Sequence, residues 1–299
     1  MQSLHASQIG WHAARTLHSV EGLPFGKIIA SFPNSFYIKT HYDELIFITN
    51  RSFRSPSTIN VEYSGPFTAI AKPLEPLFLG EHQLNTSVLS IDLTNTHEWK
   101  EEKDLPIPNY SKLMDVPRIL TTIFNMIDTS GSLLDRNEAL HYSTSQFVKD
   151  GILPIIDSEA STKLAAAASR IIGLGPGFTP SGDDFLLGFL AIFNSLAPTV
   201  QRSPIYLELG ELVKLTSWIS AKLLDYAQHL ELDDQLLRVI RSLSAENDDT
   251  VIALESLIAR GHTSGIDITA GAVLGLSVAC DIALKQRRTQ MIARNLGYN

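Results

Sequence analysis

Apolar and polar positions follow two different periods along the chain. In the first third, short β-branched and aromatic runs dominate. KIIASF, SFYIKT and ELIFIT are parted by the turn signals PNS and HYD. STINVEY, FTAIAK and TSVLSIDL continue the pattern. Residues from about 25 to 95 are therefore expected to form a compact antiparallel β domain, a barrel or a sandwich. The segment THEWKEEKDLPIPNY (96–110) is charged and then proline-rich, and it is expected to be a linker.

After Asn109 the spacing becomes helical. YSKLMDVPRILTTIFNMI carries it, with Pro117 as a start or a kink. STKLAAAASRII is expected to be a helix ending at Gly173, and DDFLLGFLAIFNSL a helix apolar enough to lie deep in the fold. Helices are also expected over IYLELGELVKLTSWISAKLLDYAQHL, LDDQLLRVIRSL and TVIALESLIARG. DITAGAVLGLSVACDIALKQR reads as the last long apolar helix, and RRTQMIARNLGYN as a polar surface tail. The pattern predicts an α+β protein: a small N-terminal β-rich domain (1–108) followed by a larger, mostly helical domain (109–299).

Composition narrows the class. The chain has 299 residues, 44% of them hydrophobic and 19% charged, as in an ordinary globular protein. With 24 basic against 32 acidic residues the net charge is −8, which disfavours nucleic acid and anionic membrane as partners. The single cysteine, Cys280, sits in an apolar helical pattern and reads as a core residue in a reducing compartment. The N-terminal residues show no secretory pattern, and uninterrupted apolar runs such as FLLGFLAIF are too short to span a bilayer. A cytoplasmic protein is expected.

The candidate chemistry lies in GLGPGFTPSGDDFLLGF (173–189). Gly173, Gly175 and Gly177 allow positive φ and close backbone approach. Thr179-Pro180 fits an N-cap followed by a first-turn proline, with Ser181 the other candidate cap. Asp183 and Asp184 then fall in or near the first helical turn, where the helix dipole favours carboxylates. SGDDFLLG (181–188) is echoed by SGIDITAG (264–271) in the frame Ser-Gly-x-Asp-x-x-x-Gly, so two helices are expected to begin alike. This is neither a Walker loop nor a dinucleotide fingerprint, since no Gly-Lys-Ser/Thr follows and no strand precedes.

Two ligand classes suit such helix starts. One is a small anion held on backbone N–H groups by Gly175, Gly177, Thr179, Ser181, Gly182, Thr263, Ser264 and Gly265. The other is a hard cation such as Mg²⁺, held by Asp183, Asp184 and Asp267. Arg170 and Arg260 are the nearest basic candidates. RGHTSGID (260–267) adds His262, a candidate general acid or base beside hydroxyls. Asp183 and Asp184 are the other catalytic candidates. The remaining histidines read as structural or surface groups, and a serine triad lacks its Gly-x-Ser-x-Gly elbow. Thr216 and Ser220 lie one turn apart and read as structural, and Lys222 as a solvated charge.

These motifs resemble the AllH-like family of oxamate carbamoyltransferase subunits. GLGPGFTPSGDDFLLGFL and GHTSGIDITAGAVLGL carry the likeness, with TSWISAKLLDYA and SPSTINVE as weaker support. The resemblance implies carbamoyl transfer between oxamate and phosphate in anaerobic allantoin breakdown. Oxalurate and phosphate would give oxamate and carbamoyl phosphate. It also implies different partner subunits, and a homo-oligomer is compatible with it. The chain lacks the Ser-Thr-Arg-Thr phosphate signature of ordinary transcarbamoylases, and STKL (161–164) is no substitute. Two other classes stay open: a metal-dependent hydrolase or phosphotransferase using Asp183, Asp184 and Asp267, and a non-catalytic regulatory subunit whose motifs serve helix packing. The two motif loops should meet in space if they share a site.

Overall fold

The computed structural model describes residues 1–18, 24–101, 107–135, 138–157, 161–208, 214–244, 249–261 and 263–298. The chain divides into two compact units, Met1–Lys103 with Leu232–Asp234, and Asp104–Glu231 with Gln235–Asn299.

The first unit is a β-barrel with one helix. Its strands are β1 (Gln2–Gly10), β2 (Pro24–Phe32), β3 (Ser35–Thr40), β4 (Leu45–Thr49), β5 (Thr58–Val61), β6 (Pro76–Gly80), β7 (Gln83–Asn85), β8 (Leu89–Asp92) and β9 (His97–Trp99), with α1 (Trp11–Leu17) after β1. The order β5-β4-β3-β2-β6-β7-β8-β1 closes through a β5–β1 pairing. β8 and β9 both run parallel to β1, over Gln2–His5 and then Gln8–Gly10, so they lie end to end along it. Thr96 Oγ1 donates to Ala6 O across the break between them. Eight lines of strand therefore complete the ring. Period two is plain in β3, where Phe36, Ile38 and Thr40 turn inward. Phe36 meets Phe67 edge-on at 5.3 Å in a core that also holds Ile28, Ile48, Ile59 and Ile91.

Three expectations about this unit need correction. Strands begin at Gln2, not near residue 25, because β1 alternates small Leu4 and Ala6 with polar residues and carries little aromatic or β-branched signal. The pairings β1–β8, β1–β9 and β4–β5 are parallel. The β4–β5 crossover needs no helix because β4 is five residues long and residues 50–57 can retrace that length. Part of the expected linker is strand β9, and Trp11 Nε1 donates to Glu101 Oε2 at 2.6 Å just beyond it.

The second unit is helical. It comprises α2 (Tyr110–Leu113), α3 (Val116–Phe124), α4 (Glu138–Phe147), α5 (Ser161–Ala168), α6 (Ser181–Leu196), α7 (Trp218–Gln228), α8 (Asp234–Ser242), α9 (Thr250–Ile258), α10 (Ser264–Leu284) and α11 (Thr289–Asn295). The first residue of α8 belongs to the other unit. Pro117 sits in the first turn of α3, so the proline starts a helix here and does not kink one. Among the described residues of the run 205–230, helix begins at Trp218, where Ser217 Oγ accepts the Ser220 N–H as a cap, and residues 209–213 of the expected helix lie outside the described residues.

Every residue of α6 is buried, as is α10 from Gly265 to Asp281. A helix that is apolar all round belongs in a core. By length and composition alone, Ser181–Val200 and Ser264–Leu284 could each cross a membrane, contrary to the expectation from uninterrupted runs, which stopped counting at each polar residue. Here both helices are interior to the unit, 89% buried. The one deep amide on α6 is fully used: Asn194 donates to Ile205 O and Gln228 O and accepts the Ile205 N–H.

α6 and α10 cross at reciprocal glycines. A Cβ on Gly188 would lie 1.9 Å from Ile268 O, and one on Gly271 would lie 1.9 Å from Phe185 O. Phe185 and Ile268 occupy the same place in their motifs, four residues after Ser181 and Ser264. The sequence echo is thus a local two-fold relation between the helices.

The C-terminal segment is not a surface tail. Asp281 accepts the backbone N–H groups of Arg288 and Thr289 and the Thr289 hydroxyl, which ties α11 to the end of α10. Ile292, Ala293 and Tyr298 are buried as a result.

Candidate functional site

The two helix starts meet. Thr179 Oγ1 donates to Asp184 Oδ2 at 3.2 Å and lies 3.4 Å from Ser264 Oγ. Helix α6 begins at Ser181 with Pro180 as its cap residue, and α10 begins at Ser264 with Thr263 as its cap residue; neither has a side-chain cap. Thr179 and Ser181 are therefore not caps. The Thr179 side chain is free of that duty and reaches Asp184.

Adjacent helix residues point about 100° apart, and this separates the aspartate pair. Asp183 Oδ1 accepts the Gly173 N–H at 2.9 Å, and Oδ2 accepts the Thr216 hydroxyl. Gly173 has φ +74°, and a Cβ there would lie 1.9 Å from Leu215 O, so Asp183 braces the loop against residues 215–216. Burial pushes the Asp183 pKa up, while Thr216, Gly173 and Ser220 hold the anion against it. With both oxygens hydrogen-bonded, Asp183 acts in this structure as a brace. Asp183→Ala is expected to cost about 1–3 kcal/mol, because the Gly173 N–H loses its partner. Urea denaturation followed by helical circular dichroism checks this; an unchanged midpoint would refute the brace.

Asp184 and Asp267 form the centre of the site. Each is the fourth residue of its motif, and their hydroxyl partners are crossed. The Ser264 hydroxyl bonds Asp184, and the Ser181 hydroxyl lies beside Asp267. Burial pushes Asp184 up to about 6, opposed by Ser264, the positive charge of Arg260 and Thr179, and reinforced slightly by Asp183. Burial pushes Asp267 up to about 8, opposed by the Leu133 N–H and Ser181 and reinforced by the charge of Asp184. Asp267 Oδ1 accepts the Leu133 N–H at 2.7 Å. Ser181 Oγ donates to Gly131 O at 3.4 Å, and Asp267 Oδ2 is left buried without a hydrogen-bond partner.

The turn at 128–135 covers this centre and was not anticipated. Its own signal was present in Asp128-Thr-Ser-Gly-Ser: Asp128 Oδ1 accepts the Ser130 N–H and hydroxyl, and Gly131 takes φ +79°.

The backbone donors expected to grip an anion are largely used within the fold. The N–H groups of Gly182 and Gly265 donate to Leu174 O and Arg260 O. Those of Asp183 and Asp184 donate to Pro180 O, and that of Asp267 to Thr263 O. The side chains at the mouth are Thr179 and Ser264, whose hydroxyls bond Asp184 beneath them, with the positive charge of Arg260 acting on that carboxyl. Gly175 and Gly177 take φ +103° and +107° and shape the loop beside this mouth, and Thr263 is half-buried next to Ser264. Arg170 points elsewhere, paired with Asp150. His262 lies outside the described residues. Among the described residues no three His, Cys, Asp or Glu side chains are grouped so as to hold a metal ion. Asp183 faces Gly173 and Thr216 and is not grouped with Asp184 and Asp267.

A family model described as oxamate carbamoyltransferase subunit AllH matches residues 171–276. That segment holds both motifs and the crossing of α6 with α10; the barrel lies outside it. No solved structure matches the chain.

Proposed function

We propose that this chain, whose residues 171–276 match the AllH family model, is a subunit of a carbamoyl-transferring enzyme and holds a small anionic substrate where its two motif loops meet. The observation that carries the reading is the convergence of Thr179, Asp184 and Ser264 within hydrogen-bonding reach across 85 residues of sequence.

On substrate binding the hydroxyls of Thr179 and Ser264 turn from Asp184 to the anionic end, which leaves Asp184 to take up a proton. Arg260 offsets the charge of Asp184, and the positive ends of α6 and α10 add to it. Asp184, raised toward neutrality, is the acid–base group of this reading. His262, two residues before Ser264, is its second candidate. The substrate class follows the family: oxamate or oxalurate with phosphate or carbamoyl phosphate, in a cytoplasmic assembly with different partner subunits.

The test is phosphate-dependent cleavage of oxalurate by the full chain with its partner subunits, alongside calorimetric binding of oxamate and carbamoyl phosphate. Asp184→Asn is expected to lower turnover about 100-fold, within the range for loss of a general acid or base. Thr179→Val is expected to weaken substrate binding about tenfold. If neither compound binds the wild-type chain, alone or with partners, the reading is wrong.

A further inference from the structure

Deeper than the mouth, two buried polar groups have no hydrogen-bond partner. Thr179 and Ser264 are half-buried, Asp184 is 5% exposed and Asp267 is 0% exposed. Asp267 Oδ2 is one unpartnered atom. The other is the Tyr298 hydroxyl, which arrives from the C-terminal segment and belongs to neither motif. Tyr298 is 2% exposed, and its ring meets Phe185 edge-on at 6.1 Å. Burial first, and then the charge of Asp267, push the phenol's pKa up, so the phenol and the carboxyl share one electrostatic environment.

Resting on the reading that the mouth holds a small anion, we propose that the inner half of the site, formed by Asp267, Ser181 and Tyr298, receives the uncharged amide end of that substrate. A primary amide presents two N–H donors and one carbonyl acceptor. The two unpartnered groups present the complement, Asp267 Oδ2 as acceptor for an N–H and the Tyr298 hydroxyl as donor to the carbonyl. A second carboxylate in the same place would face Asp184 with no cation on the inner side among the described residues. The repulsion between an acidic centre and an anionic substrate is thereby confined to one end of the molecule. The guest reaches Asp267 by opening the contact between Ser181 and Gly131, which at 3.4 Å is long and weak.

The experiment is calorimetry on the full chain at pH 7 with two probes that share an anionic end. Oxamate carries the amide and oxalate replaces it with a carboxylate. We expect oxamate to bind at least tenfold more tightly. Tyr298→Phe should shrink that ratio at least threefold and leave oxalate within twofold of its wild-type affinity. Ser264→Ala, at the mouth, should weaken both probes equally. Equal wild-type affinities overturn the inference and leave the mouth reading intact. So does an unchanged ratio in folded Tyr298→Phe. If neither probe binds, the mouth reading fails and takes this inference with it. The wild-type ratio needs no variant, so a misfolded Tyr298→Phe leaves that arm decisive.

Discussion

Gly271→Val is expected to destroy the folded helical unit. A Cβ at this position falls 1.9 Å from Phe185 O and 2.9 Å from Phe189 N, both main-chain atoms that no rotamer change can move aside. The larger side chain must therefore push α10 off α6, and both helices are interior along most of their length. Interiors are close-packed, so a shift of that size opens voids on the far side of each helix. The cost should exceed about 3 kcal/mol, a large share of the 5–15 kcal/mol that typically holds a domain together. The control is Gly177→Ala. Gly177, unlike Gly271, has positive φ, but its nearest neighbour would be Thr179 O at 3.6 Å, so only backbone strain of about 1–2 kcal/mol is added. Urea titration of the helical signal distinguishes the two. Similar midpoints for both variants would mean that the helices do not cross where the reciprocal glycines place them.

Stability should fall as pH rises from about 4 to about 8. Asp267 carries the main effect. Its pKa rises from an ordinary 3.8 to about 8 in the folded chain, so the folded state binds this proton more tightly than the unfolded state does. Between those values the folded chain holds more protons, and the stability slope with pH is negative. Below the lower value the group contributes nothing; above the upper value its penalty is complete. At full ionisation the displacement corresponds to on the order of 5 kcal/mol. Asp184, displaced to about 6, acts in the same direction over the acid half of the window. The group is isolated by comparing wild type with Asp267→Asn, which keeps an oxygen for the Leu133 N–H and cannot ionise. The urea midpoint of the wild type should drop between pH 5 and pH 8.5 relative to the variant. Parallel curves for the two proteins would show that Asp267 titrates normally.

Local pattern revealed some of this architecture and could not reveal the rest. The inward residues of β3 and the apolar run Phe185–Phe193 of α6 follow from periodicity alone, since burial on one face or on every face leaves its mark residue by residue. Ring closure by β1 does not, because strand pairing across 50 or more residues has no local signature. The Ser-Gly-x-Asp-x-x-x-Gly echo was informative because equivalent positions in the two copies make equivalent contacts. It also held the answer to the aspartate pair: Asp184 aligns with Asp267, whereas Asp183 aligns with Ile266. The echo therefore marks Asp184 as the shared member and Asp183 as the departure. Tyr298 was obscured by its polar neighbours; its burial depends on Asp281 capping the next helix, a contact between residues that look unremarkable in isolation. The backbone donors at the helix starts were misjudged for a related reason. A sequence shows that the first turn lacks intrahelical acceptors, and it does not show that loop carbonyls such as Leu174 O supply them.

The closed ring of the N-terminal unit limits how other subunits could dock on it. An open sheet offers unpaired amides, and many complexes form when a neighbour lends a strand to that margin. With β1 joined to β5 on one side and to β8 and β9 on the other, that route of recruitment is shut at this seam. A protein that binds here must engage side chains and connecting turns, so its hold would be altered by point substitutions on the barrel's outer face and not by changes in strand register.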